Sequence, residues 1–133
     1  MNVTFETKFG NKAGNDEWLT PPELIKALGE FDLDPCSPIN RPWETAKKHY
    51  TEIDNGLIQQ WEGRVFCNPP YGDKAKYWLL KCADHNNCIA LTFARTETRM
   101  FFESVWNKAT AVLSCNRYSR RLCRCSICID RIW

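Results

Sequence analysis

The sequence predicts an α/β domain: a largely parallel, open sheet with helices on its faces. Three observations predict it. Short apolar stretches rich in strand-forming residues recur at "FDLDPCS", "GRVFCNPPY", "CIALTFA" and "TAVLSC". Stretches with apolar residues at helical spacing lie between or before them. Polar clusters follow the strands instead of interrupting them. The order helix, strand, loop with turn, strand, helix, strand, helix, strand builds a sheet from βαβ units. No internal repeat and no linker divides the chain.

The elements follow in order. Residues 1–15 are polar with scattered glycine and asparagine, which predicts a loose arm. In "TPPELIKALGEF", Thr20 suits a helix N-cap, Pro21 the first helical position, and Glu23 stands at capping-box spacing. Leu24, Ile25 and Leu28 form an apolar face, and Gly29 ends the helix. "FDLDPCS" alternates apolar and acidic residues before breaking at Pro35, a short strand with polar groups at its carboxyl end. Residues 38–50 read as loop followed by a short helix, and Asp54-Asn55-Gly56 is a turn. "GRVFCNPPY" is the second strand. "DKAKYWLLKCADHN" is a helix with Ala75, Trp78, Leu79 and Cys82 inward. "CIALTFA" is a buried strand. "TETRMFFESVWNKA" is a helix capped by Thr96, with Met100, Phe101 and Val105 inward, and "TAVLSC" opens a further strand.

Composition narrows the classes. The 133 residues are enough for one domain with a core. No apolar run reaches membrane-spanning length, and "MNVTFETKFGNK" lacks the apolar stretch of a signal peptide, so a soluble, cytoplasmic chain with reduced thiols is expected. Charge is uneven. Residues 114–133 hold five arginines and one aspartate, +4, so the preceding 113 residues carry −2 in a chain of net charge +2. Four of the eight cysteines, Cys115, Cys123, Cys125 and Cys128, crowd the same tail. Their Cys-x-Cys-x-x-Cys spacing lacks a second pair, so no metal site is expected. His49 and His85 read as solvated. Trp18, Trp43, Trp61 and Trp78 read as core or pocket wall.

Open α/β sheets bind ligands beyond the carboxyl ends of their strands. Three polar clusters fall at such positions or beside them: Asp34-Pro35-Cys36, Asp54-Asn55-Gly56 and Asn68-Pro69-Pro70-Tyr71. The Gly-x-Gly-x-x-Gly fingerprint is absent, which argues against a dinucleotide pyrophosphate. Asn-Pro-Pro-Tyr suits chemistry on an amino group attached to an aromatic ring. The Asn68 side-chain oxygen and the adjacent proline carbonyl can each accept a hydrogen bond from that amine. Both draw it out of conjugation and leave its lone pair free to attack a methyl donor. The prolines hold the acceptors in place, so little ordering cost remains at reaction. Tyr71 offers a face on which a purine extruded from a duplex can stack. As turn formers alone, Asp34-Pro35 and Asp54-Asn55-Gly56 have ordinary structural readings, and Thr20 is a capping residue first.

"DEWLTPPELIKAL", "FDLDPC", "DNGLIQQW" and "CNPPYG", in this order, resemble the phage-type DNA N-6-adenine-methyltransferase family from about Asp16 to Leu113. The resemblance implies a Rossmann-like methyltransferase fold and transfer of methyl from S-adenosylmethionine to the exocyclic amine of adenine in DNA. It implies a bacterial cytoplasmic setting of phage or prophage origin, and no membrane. It also implies site roles. Asn68, Pro69, Pro70 and Tyr71 would form the catalytic target-amine pocket. Asp34 and Pro35 would line the cofactor site, Thr20 would meet the methionine carboxylate, and Asp54 the cofactor's nucleoside. "DPCSPINRPW" stands where the family's motif I continues with glycines.

The pattern then departs. The family continues with a Phe-x-x-Gly-Arg-x-x-Phe segment that returns a strand to the sheet, whereas this chain reads "SCNRYSRRLCRCSICIDRIW". The jump in arginine, cysteine and serine at Ser114 is typical of an out-of-frame reading. It predicts an arm over 1–15, a methyltransferase-like unit over 16–113 and a foreign basic tail over 114–133. The sheet would then lack its closing C-terminal strand, and activity would be low or absent. Two other function classes fit part of the pattern. One is the same chemistry on a cytosine amine, RNA or a protein glutamine. The other is a non-catalytic nucleic-acid-binding module.

Overall fold

The computed structural model describes residues 19–70, 72–93, 97–115 and 127–130, with Phe93, 113–115 and 127–130 described by backbone alone. The expectations on Tyr71, Trp18, the 1–15 arm, the Thr96 cap and Cys123 and Cys125 lie outside these residues.

The fold is α/β with an all-parallel sheet, an arrangement consistent with a Rossmann-like fold. Its strands are β1 (Leu33–Asp34), β2 (Lys48–His49), β3 (Val65–Cys67), β4 (Cys88–Phe93), β5 (Val112–Cys115) and β6 (Ile127–Asp130), in the spatial order β2-β1-β3-β4-β6-β5. Every pairing is parallel. Three helices accompany them: α1 (Pro22–Leu28), α2 (Ala75–His85) and α3 (Arg99–Phe101).

A parallel sheet must be covered on both faces, so its strands carry apolar residues on each side. Alternation along β3 and β4 divides them into two clusters. Val65, Cys67, Cys88 and Ala90 join Trp78, Leu79 and Cys82 of α2 and Phe101 and Val105 near α3. Phe66, Ile89 and Leu91 face the other way, onto Leu28 and Phe31, with Leu24 and Ile25 of α1 packed against them. Phe66 is only 1% exposed and tilts against Phe31 at 5.3 Å between ring centroids. Phe66→Ala is therefore expected to cost about 3–5 kcal/mol in a denaturant titration, with the midpoint falling and the slope unchanged.

The inward face of α2 is the one read from periodicity: Ala75, Trp78, Leu79 and Cys82 are buried. α1 ends at Gly29, whose φ of 101° is the glycine-favoured left-handed region. Arg64 caps that end by donating to the Leu28 and Glu30 carbonyls at 2.9 Å each.

Three expectations are corrected, on the Thr20 cap, on a helix within 38–50 and on the last strand. Thr20 does not cap α1: the helix starts at Pro22, Pro21 holds the cap position, and no side chain bonds the first turn. Consecutive prolines push the entry one residue later, since a residue before proline is kept out of helical backbone. Residues 38–50 contain no helix; they bend and enter β2, which adds an edge to β1. α3 is capped by Thr98, which accepts from the Phe101 amide at 3.3 Å. Beyond Phe101 the helix widens into a π-turn over Phe102–Trp106, where the Ser104 hydroxyl takes the Met100 carbonyl at 2.5 Å. Finally, the sheet does not lack its last strand. Ile127–Asp130 lies between β4 and β5, aligned with both over four residues. Residues in the basic tail supply this strand by backbone pairing, which requires no particular side chain.

Candidate active site

The site begins with strand direction. β1 and β3 are parallel neighbours, with Leu33 level with Val65. The chain therefore leaves β1 after Asp34 and β3 after Cys67 at the same edge of the sheet. Asp34-Pro35 and Asn68-Pro69-Pro70 stand side by side there.

Thr20 joins them from far away in sequence. The Asn68 carboxamide Nδ2 donates to Thr20 Oγ1 at 3.0 Å. Thr20 is 5% exposed, and its carbonyl accepts from the Trp43 indole N–H at 2.9 Å. Asn68 Oδ1 is buried and the Pro69 side chain is fully buried, so packing holds the turn after β3 in place.

Asp34 is 3% exposed. Its Oδ1 accepts from the Cys36 amide at 3.1 Å, and its Oδ2 accepts from the Thr45 hydroxyl. Burial pushes its carboxyl up to about 6 against these hydrogen bonds and the nearby Arg41 charge, which pull it down. Asp34 thus ties the turn after β1 to the loop entering β2. His49 secures the same loop. Its Nε2 accepts from the Thr45 and Ala46 amides at 3.2 and 3.3 Å, and its Nδ1 faces Glu44 at 3.1 Å. The solvated reading of His49 is corrected: its side chain is only 5% exposed, and burial lowers its pKa.

The Asp54 turn packs onto the Pro35 turn. Asp54 is exposed, and its Oδ2 accepts from the Thr51 amide at 2.9 Å, so it builds its own turn. Asn55 adopts φ 53° there. A Cβ at Gly56 would lie 2.0 Å from the Pro35 carbonyl oxygen, a distance only glycine permits. The Gly56 carbonyl accepts from the Trp61 indole at 2.8 Å, and Lys81 Nζ donates to the Leu57 and Gln59 carbonyls at 2.6 Å each. Burial lowers the Lys81 pKa. Gly56→Ala should force the two turns apart, costing roughly 1–3 kcal/mol of stability and weakening binding of the methyl donor in a calorimetric titration; unchanged affinity would count against the turn's place in the site.

Of the predicted site residues, Thr20 and Asn68 are brought into direct contact, and Pro35 meets the Asp54–Gly56 turn. Thr45, His49 and Lys81 were missed as supports, whereas Trp43 and Trp61 were read as core or pocket wall and Trp61 is buried in the core. No local signal marks the three that were missed. An open depression of about 590 Å³ on the α2 side is lined by residues including Trp61, Tyr77, Lys81 and His85; none of the predicted site residues among those described lines it. Among the described residues no cluster of three or more His, Cys, Asp or Glu could hold a metal, and no helix is long and apolar enough to cross a membrane.

The family model for DNA N-6-adenine-methyltransferase (Dam) matches residues 8–116, most of the chain. The chain belongs to that family. This methyltransferase is therefore an enzyme that acts on DNA, moving a methyl group from a donor to the N6 amine of adenine. No curated protein and no solved structure matches it.

Proposed function

We infer that the methyl donor is S-adenosylmethionine and that Asn68, Pro69, Pro70 and Tyr71 form the pocket for the target amine, with Thr20, Asp34, Pro35 and Asp54 around the donor. The observation that carries the reading is the Thr20–Asn68 hydrogen bond at 3.0 Å beside the Asp34-Pro35 turn, at the carboxyl edge of a parallel sheet. The donor set suits the group. The Thr20 hydroxyl can meet a carboxylate, the exposed Asp54 carboxylate can meet a nucleoside, and the close Gly56–Pro35 approach makes a side-chain-free wall. Asp34, with both oxygens engaged inside the protein, would shape that wall from within.

When bound, S-adenosylmethionine supplies an electrophilic methyl carbon on a sulfonium. The chain's own residues prepare the nucleophile. Asn68 Oδ1 accepts one amine hydrogen and the Pro69 carbonyl the other, which localises the nitrogen lone pair. Tyr71 gives the extruded base a stacking face. The amine would attack while neutral, so no charged base is required before the N–C bond forms and the methyl–sulfur bond breaks with its electron pair left on the thioether; the extra proton on the methylated nitrogen would leave afterwards to water. A reducing cytoplasm suits the buried thiols at Cys67, Cys82 and Cys88.

Calorimetric titration with S-adenosylhomocysteine tests the donor site without DNA. Labelled methyl transfer to unmethylated DNA, followed by nucleoside analysis, tests the target. N6-methyl-2′-deoxyadenosine should carry the label; label in cytosine, or transfer to RNA or protein offered instead, would refute the assignment. The family match over residues 8–116 contains the proposed unit over 16–113 and reaches into the proposed arm. Translating the gene in its other frames beyond codon 114 tests the frame-shift reading of the tail, which fails if neither frame yields a Gly-Arg strand.

A further inference from the structure

We propose that Thr20 is a positioning residue for Asn68: its hydroxyl oxygen, by accepting from Nδ2, sets which way round the catalytic carboxamide stands. The proposal rests on the function assigned to Asn68 above. A carboxamide has a donor end and an acceptor end of nearly the same shape, and only one orientation serves the reaction. With Oδ1 toward the target amine, the group accepts a hydrogen bond. With Nδ2 there, donor would face donor and the amine would stay conjugated with its ring.

The structure commits Nδ2 elsewhere, to Thr20 Oγ1 at 3.0 Å across 48 residues of sequence. The partner is itself held. Thr20 is 5% exposed, its carbonyl is bonded by the Trp43 indole at 2.9 Å, and the two prolines that follow stiffen its exit into α1. Its side chain is also released from the task the sequence suggests for it, since no cap hydrogen bond forms at α1. Because Oγ1 accepts from Asn68, the hydroxyl's own hydrogen points to another acceptor. An anionic group of the donor, such as its carboxylate, would take that hydrogen and so prevent the hydroxyl from turning to donate to Oδ1. Thr20 thereby reports donor occupancy to the amide that grips the base.

The test compares Thr20→Val, which keeps the shape and removes the hydroxyl, with Thr20→Ser, which keeps the hydroxyl. In the ¹⁵N spectrum of the free protein, the Asn68 side-chain NH₂ pair is assigned by its loss in Asn68→Asp. Thr20→Val should shift that pair and speed its exchange with solvent at least tenfold. At saturating S-adenosylmethionine and DNA, kcat should fall about 10–100-fold, with KM for DNA changed less than threefold. Thr20→Ser should restore both the spectrum and kcat to within about threefold.

An unmoved Asn68 signal in Thr20→Val overturns the proposal. So does a kcat that stays unchanged while S-adenosylhomocysteine affinity alone falls, which would make Thr20 a donor ligand only. A kcat that Thr20→Ser fails to restore would make the role merely structural and also overturn it. Failure of the function assigned to the site looks different: wild-type protein would then show the Thr20-dependent Asn68 signal but transfer no methyl group to adenine.

Discussion

Asn68→Ala should reduce methyl transfer to DNA by about 10²–10³-fold while leaving S-adenosylhomocysteine affinity within a few fold. The magnitude is that of removing one pre-aimed hydrogen-bond partner from a reaction centre. The cause lies in the nucleophile. An adenine amine is a poor nucleophile because its lone pair is delocalised into the ring, and the side-chain acceptor at position 68 is what counters this. Truncation removes that acceptor and also strips Thr20 of the Nδ2 donor it holds at 3.0 Å. Pro69 is fully buried, so the turn itself should persist. Single-turnover rates with labelled donor measure the chemical step, and calorimetry measures binding. If both fall together, the residue supports the fold or the donor site and does not act on the amine.

Asp34→Asn should alter the dependence of stability on pH by about 3 kcal/mol, the equivalent of moving a carboxyl from 3.8 to about 6. The sign follows from burial. The folded-state value is raised above that of the unfolded chain, so the favourable contribution is complete below about 3.8 and is lost as pH rises through about 6. At pH 8 the wild type bears a buried charge that Asn does not. Asn can keep both hydrogen bonds, its Oδ1 accepting from the Cys36 amide and its Nδ2 donating to Thr45. The variant should therefore gain on the wild type between pH 4.5 and pH 8. Arg41 and Cys88 also act on this carboxyl or feel it. His49 runs the other way, its lowered pKa giving a contribution present above about 6.5 and lost as pH falls. Both proteins share these groups, so the difference between their urea midpoints isolates Asp34. A gap that stays constant across pH would refute the argument.

What could be read beforehand divides by range of interaction. α2 was legible because its buried face, Ala75, Trp78, Leu79 and Cys82, is a local pattern. The apolar strands β3 and β4 were legible for the same reason, and parallel order put Asp34 and Asn68 at one edge. Thr20 was misassigned because capping is the default local reading of a threonine before a helix, whereas its partner is 48 residues away. His49 was misassigned because its partners are backbone amides of a bend that no periodicity announces. β2 is two residues long, lysine and histidine, and owes its existence to pairing with β1. β6 escaped notice because the tail's composition hides a strand that only neighbours on both sides make favourable.

The two prolines after Asn68 carry a consequence for base choice. Neither has an amide hydrogen, so this stretch of main chain presents only lone pairs to whatever enters. Guanine and thymine bring a keto oxygen to the position where adenine and cytosine bring an amino group. Oxygen would meet oxygen, and repulsion would turn the keto bases away before any methyl carbon came near. On the proposed reading, the main chain of an imino acid thus reinforces the choice that the Asn68 oxygen makes, and amino bases are told from keto bases before chemistry begins.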